Sequence, residues 1–177
     1  MRFTPLLAVA AFAITAPAHT TTHAQASAAA KLDDPAIVGI FDAANGWDIA
    51  TGNLAATKGT RTDVKEFGKM LSQVHASVQK SARDLAKKLG VTPTPVSKDF
   101  PLAVNHEAAM KNLNSLSGAA FDKAFLEHEA AYHKAVIDAV TNSFLPAIQN
   151  AELKKFVSDL APAFNAHMVQ AQEMLKK

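Results

Sequence analysis

Phe125 to Val136 reads FLEHEAAYHKAV, with two histidines and two glutamates inside one apolar frame. An imidazole and a carboxylate on one helix face can hold a transition-metal ion or pass a proton. Glu129 and His133 stand at i and i+4, so on a helix they point the same way, one turn apart. Leu126, Val136 and Val140 continue that stripe. His128 lies about 100° round the helix, on a neighbouring stripe with Phe121, Phe125 and Tyr132, and Glu127 faces elsewhere. Only Glu129 and His133 form a coherent pair.

Three other helical stripes each carry one ionisable residue among apolar ones. His75 interrupts Val64, Phe67, Leu71, Val78 and Ala82; His167 interrupts Val157, Leu160, Phe164, Ala171 and Met174. Asp48 does the same within Ile37, Phe41, Ala44, Gly52 and Ala55. At about 1.5 Å rise per residue, the four levels agree to within one or two turns. Burying such groups without partners is costly. They therefore imply either a closed hydrogen-bond network or a bound cation.

Three imidazoles with one or two carboxylates suit zinc, iron or copper. The candidate metal site is His75, His133 and His167, completed by Glu129 or Asp48. The pattern disfavours di-iron chemistry, because paired Glu-x-x-His motifs would place glutamates where Ser72, Ala130 and Phe164 stand. No nucleophile elbow, glycine-rich phosphate loop or zincin motif occurs, so neither an organic cofactor nor a catalytic residue is assigned. His106 and Glu107 read as solvent-facing, and Trp47 and Tyr132 as packing residues.

The elements that must position these groups follow from capping and punctuation. Asp34-Pro35 predicts an N-cap and first-turn proline for a helix to about Lys58. After Gly59, Thr62 is the predicted cap of a second helix, Asp63 to Leu89, closed by Gly90. Val91 to Pro101 holds three prolines and is irregular. A short helix, about Leu102 to Leu116, follows. Ser117-Gly118 opens a third long helix to about Asn142, and Asn150 caps a fourth over Ala151 to Lys176. Pro162 falls inside that last helix and deletes one of its backbone bonds, which predicts a kink. The fold class is all-α: an antiparallel four-helix bundle of ferritin-like connectivity, whose one long crossover carries a short extra helix.

The first 26 residues, MRFTPLLAVAAFAITAPAHTTTHAQA, combine Arg2, an apolar core and a small-residue cleavage site. They predict a secretory signal and a periplasmic or secreted product. Residues 27–34 then form a flexible leader, and 35–177 the bundle. With 18 basic and 16 acidic residues in the whole chain, and Arg2 the only charge in the signal, the mature chain carries about +1. Scattered lysines at that net charge argue against nucleic acid. The apolar core of the signal is too short to leave a membrane span in the mature chain. With no cysteine, thiolate ligands and disulfides are excluded and packing alone must hold the fold. Exposed helix faces leave a homodimer open, and no protein partner is identified.

DIATGNLA (Asp48–Ala55), VKEFGKMLSQVH (Val64–His75), LSGAAFDKAFLEHEAAYHKAV (Leu116–Val136) and LAPAFNAH (Leu160–His167) resemble a secreted bacterial family, domain of unknown function 4142. The resemblance covers nearly all of the mature chain. Its most specific marks are the G-x-x-FD run at Gly118 to Asp122 and the histidines matched by His75, His133 and His167. It implies an exported ferritin-type bundle without a settled activity. The chain departs from the family pattern at Asp48, where a glutamate is usual, and at Val74, where an aspartate is usual. Glu129 stands where a methionine is frequent. Two readings follow: an exported protein holding one transition-metal ion in a stress or metal-handling role, or a metal-free envelope interaction module whose buried histidines form a network.

Overall fold

The computed structural model describes residues 32–177, and all their regular structure is helical. The predicted signal and most of the leader lie outside the described residues. What is described of the leader is anchored: Leu32 packs against the core, and the Asp33 carboxylate accepts from the Ala36 N–H at 3.2 Å.

Helix α1 spans Asp34–Lys58, so its cap is Asp33 rather than the predicted Asp34. Asp34 is spent elsewhere. Its two oxygens accept the N–H groups of Gln149 and Asn150, at 2.8 and 2.9 Å, in the link before the last helix. Helix α2 spans Thr62–Leu89 and is preceded by Arg61, which gives no side-chain cap, so Thr62 is the first helical residue rather than the cap. The capping is done from a distance: the Asp122 carboxylate accepts from the N–H groups of Thr60 and Arg61, both at 2.8 Å. Gly90 ends α2 with φ of 68°, the left-handed geometry that glycine adopts without strain.

The proline-rich stretch lies along the start of α1. Thr94 N–H donates to Pro35 O at 2.9 Å, and a Cβ on Gly39 would fall 1.9 Å from Thr94 O. The crossover then forms α3, Pro101–Ser115, and α4 follows over Gly118–Ala139. The predicted single helix to Asn142 instead passes from Ala139 into a π-helical turn, Val140–Phe144, and a last turn α5, Leu145–Ala147. Pro146 has no N–H and its ring collides with a carbonyl four residues back, which the wider turn relieves. Asn150 caps α6, Ala151–Met174, by accepting from Glu152 and Leu153 N–H. Helix α6 runs unbroken across Pro162.

Two apolar clusters define the layering. One joins the first half of α1 and the last turns of α2 to the end of α4 and the start of α6, through Ile37, Phe41, Ala86, Val140 and Val157. The other joins the opposite ends through Ala55, Phe67, Leu71, Phe121, Phe125 and Met174. Helices α1 and α6 therefore run one way, and α2 and α4 the other. Between the clusters lies a buried polar layer: Asn45, Asp48 and Thr51 on α1, Ser72 and His75 on α2, Glu129 and His133 on α4, and His167 on α6. Among the described residues, no helix is long and apolar enough to cross a membrane.

Candidate metal centre

All five residues singled out by their stripes meet in this layer. Glu129 is fully buried, His133 is 1% and His167 7% exposed, and Asp48 and His75 lie between them. Fixed hydrogen bonds set the imidazole tautomers. Asn45 Nδ2 donates to Phe41 O at 2.7 Å, which turns Asn45 Oδ1 towards His75 Nδ1 at 2.9 Å. His75 Nδ1 therefore carries its hydrogen. His133 Nδ1 lies 3.0 Å from Glu129 O, a carbonyl that can only accept, so this nitrogen also carries the hydrogen. In both neutral rings Nε2 is left as a lone pair.

Those lone pairs converge. His75 Nε2 lies 3.2 Å and His133 Nε2 3.5 Å from the same oxygen, Asp48 Oδ2. His167 Nδ1 approaches His133 Nε2 at 3.2 Å, and the ligand atoms of the three histidines lie within 4.8 Å of one another. A zinc-type ion with arms of about 2.1 Å has tetrahedral edges of about 3.4 Å. The separations of 3.2, 3.2 and 3.5 Å match those edges. Phe164 stacks on His75 at 5.9 Å and 10°, fixing the plane of that ring.

Glu129 stands on the other side of His133. Its Oε2 is 3.5 Å from His133 Nδ1, away from the converging nitrogens, and Asp48, Glu129 and His133 form a second close group. The Glu129 main-chain carbonyl, which takes the His133 Nδ1 hydrogen, orients the ring, and the carboxylate adds negative charge beside it. Asp48 Oδ1, both Glu129 oxygens and His75 Nε2 are buried without a hydrogen-bond partner. Four such atoms at one level are costly unless a cation or a proton resides among them.

The electrostatics follow from that burial. Desolvation, then the neighbouring histidines, push His75 down to about 3. Desolvation and His167 do the same to His133. Burial and the adjacent Glu129 raise Asp48 well above the usual carboxylate range. Burial lifts Glu129 to about 7, opposed by its polar neighbours Thr51 and Asp48. Neutral imidazoles facing carboxyls that resist ionising form a donor set that could hold a positive charge.

Asn45 and Thr51 belong to this layer, and neither was anticipated. They lie three residues either side of Asp48 on one face of α1, a spacing legible only once Asp48 is known to be the centre. His106, expected to face solvent, is instead half-buried and stacked on Trp47 at 5.7 Å and 21°. The crossover helix lies down on α1 there, and an aromatic face is the better surface for an imidazole. Glu107 is exposed as expected. His128 lies against Tyr132, whose hydroxyl donates to Ala44 O at 2.9 Å.

No curated protein and no solved structure matches the chain. A family profile described as "Domain of unknown function (DUF4142)" matches residues 19–174, which takes in all six helices and every residue of the polar layer. The chain belongs to the DUF4142 family.

Proposed function

We propose that the protein binds one divalent transition-metal ion through His75 Nε2, His133 Nε2, His167 Nδ1 and Asp48 Oδ2. Zinc, iron(II) and copper(II) all accept such a donor set. Glu129 supports His133 from behind and supplies a second negative charge. With neutral imidazoles, a 2+ ion balances the two carboxylates and leaves the bundle core uncharged. The observation that carries this reading is the convergence of His75 and His133 Nε2 on Asp48 Oδ2, with His167 Nδ1 beside His133 Nε2, at tetrahedral-edge distances. The role is metal handling or protection against metal stress in the cell envelope, after export on the N-terminal signal.

A metal-free core network is the second reading, favoured by the His133–His167 contact, in which one ring can donate to the other. It requires Asp48 and Glu129 to share a proton beside Thr51, as carboxyls that resist ionising can. Elemental analysis of protein exported and purified without chelators separates the two. One metal per chain in the wild type, and none in a folded His75→Leu/His133→Leu/His167→Leu variant, supports the site. Metal in neither, with zinc, copper and iron all refused on addition, supports the network.

A further inference from the structure

The polar layer is closed on most sides but not on all. A pocket with about 20 Å³ of room for the centre of a water-sized molecule touches Asp48, His75 and His133, and not His167. That volume holds one molecule of about water size. Apart from these ligands, Asn45 and Tyr132, its walls are apolar, among them Phe41, Leu102, Val136 and Phe164. A site that holds a metal only for structure is sealed, whereas one that keeps space beside the ion accepts a further ligand and expands its coordination. Here the space lies on the Asp48–His75–His133 face, which His167 does not line.

The pocket has a neighbour. Between α3 and α4 a surface groove of about 240 Å³ is lined by Leu102, Asn105, His128, Ala131, Tyr132 and Ala135. Leu102 and Tyr132 line both spaces and form the wall between them. Tyr132 is tied to Ala44 O, but Leu102 is half-buried at the start of α3, where the only fully covered side chain is the distant Leu113. The groove carries no acidic or strongly basic residue, so it offers nothing to a phosphate or to an organic acid.

We propose that the metal centre takes a small, uncharged, two- or three-atom molecule as a fifth ligand, admitted past Leu102 from the α3–α4 groove. This rests on the metal-site reading. Size is set by the pocket, charge by the groove and apolar walls, and direction by the face that His167 leaves free.

Cobalt(II) replaces the metal in the test because its visible bands report coordination number. The exported protein is loaded with cobalt, its content is measured, and nitric oxide is added in a stopped-flow instrument. Nitric oxide is expected to shift the bands, and 2-methylimidazole to leave them unchanged. Leu102→Ala should speed the reaction at least tenfold, and Ala135→Trp, an exposed change that plugs the groove, should slow it at least tenfold, with cobalt content and melting temperature held. Bands indifferent to nitric oxide in a chain carrying one cobalt would overturn the inference and leave the metal site standing. Equal response to both probes, or rates indifferent to both variants, would overturn it too. A wild-type chain that takes up no cobalt would sink the metal site and this inference together.

Discussion

Gly52 on α1 and Gly68 on α2 lie back to back across the helix pair, so close that a Cβ on either would stand 2.6 Å from the other's carbonyl oxygen. This contact fixes the spacing of the two helices one turn from Asp48 and two turns from His75. Gly68→Ala cannot be absorbed by a rotamer change, because the obstructing atoms are backbone and the Cβ of Ala55. It should cost about 3 kcal/mol in urea unfolding, at the upper end for overpacking. By parting Asp48 from His75 it should also weaken zinc affinity at least tenfold. Loss of stability with unchanged affinity would mean that the pair does not set the site.

Asp48→Asn keeps shape and removes charge. In metal-free protein it takes away a buried carboxyl that resists ionisation, so stability should hold or rise by about 1 kcal/mol. With zinc the order inverts, since the amide neither neutralises the ion nor offers the same lone pairs. The wild type should gain about 4 kcal/mol at zinc a thousandfold above its dissociation constant, and the variant should gain little. Thermal melts with and without zinc read both halves.

Metal-free stability should be highest in mildly acid solution, because two effects of opposite sign meet there. His75 and His133 hold about 3 in the fold against 6.5 when free, so the unfolded chain binds more protons between those values. Their burial therefore removes stability as pH falls through that window. Asp48 and Glu129 are raised, Glu129 to about 7 from 4.5, so the folded chain binds more protons and stability falls as pH rises past 4.5 and through 7. Between 4.5 and 6.5 the slopes oppose and the curve should be flat, dropping on both sides. Zinc needs both carboxylates ionised, so it should move the optimum above pH 7. Urea midpoints across pH 3 to 9, with and without zinc, test this; a zinc-loaded curve that keeps the acid optimum would count against the site.

The helical stripes made the five central residues legible, because a charged group recurring in an apolar period is visible without knowing its neighbours. The chain's turns were less so. An aspartate before a proline reads as a local cap at Asp34, yet Asp33 caps α1 and Asp34 serves Gln149 and Asn150, more than a hundred residues away. Asp122 likewise serves Thr60 and Arg61. Tertiary caps of this kind have no spacing to read. The π-helical turn before Pro146 was hidden for a related reason: proline announces an interruption but not how the preceding turn absorbs it.

Asp122 closes the G-x-x-FD run of Gly118 to Asp122, and its partners assign it to the turn rather than to the polar layer. It is 2% exposed, and its two oxygens hold two backbone donors that no local residue caps. Asp122→Ala removes the charged acceptor of two part-buried N–H groups, which water can partly replace, and should cost about 2 kcal/mol. Metal stoichiometry should stay at the wild-type value, since Asp122 follows Phe121 of the far apolar cluster and bonds Thr60 and Arg61 rather than any residue of the polar layer. Asp122→Asn offers one acceptor in place of two and should recover about half of the loss. Urea unfolding beside elemental analysis decides the matter. A folded Asp122→Ala protein that has lost its metal would tie the motif to the centre, whereas a weakened protein with its metal intact would leave Asp122 as the clasp that holds α1 and α2 in position to present Asp48 and His75.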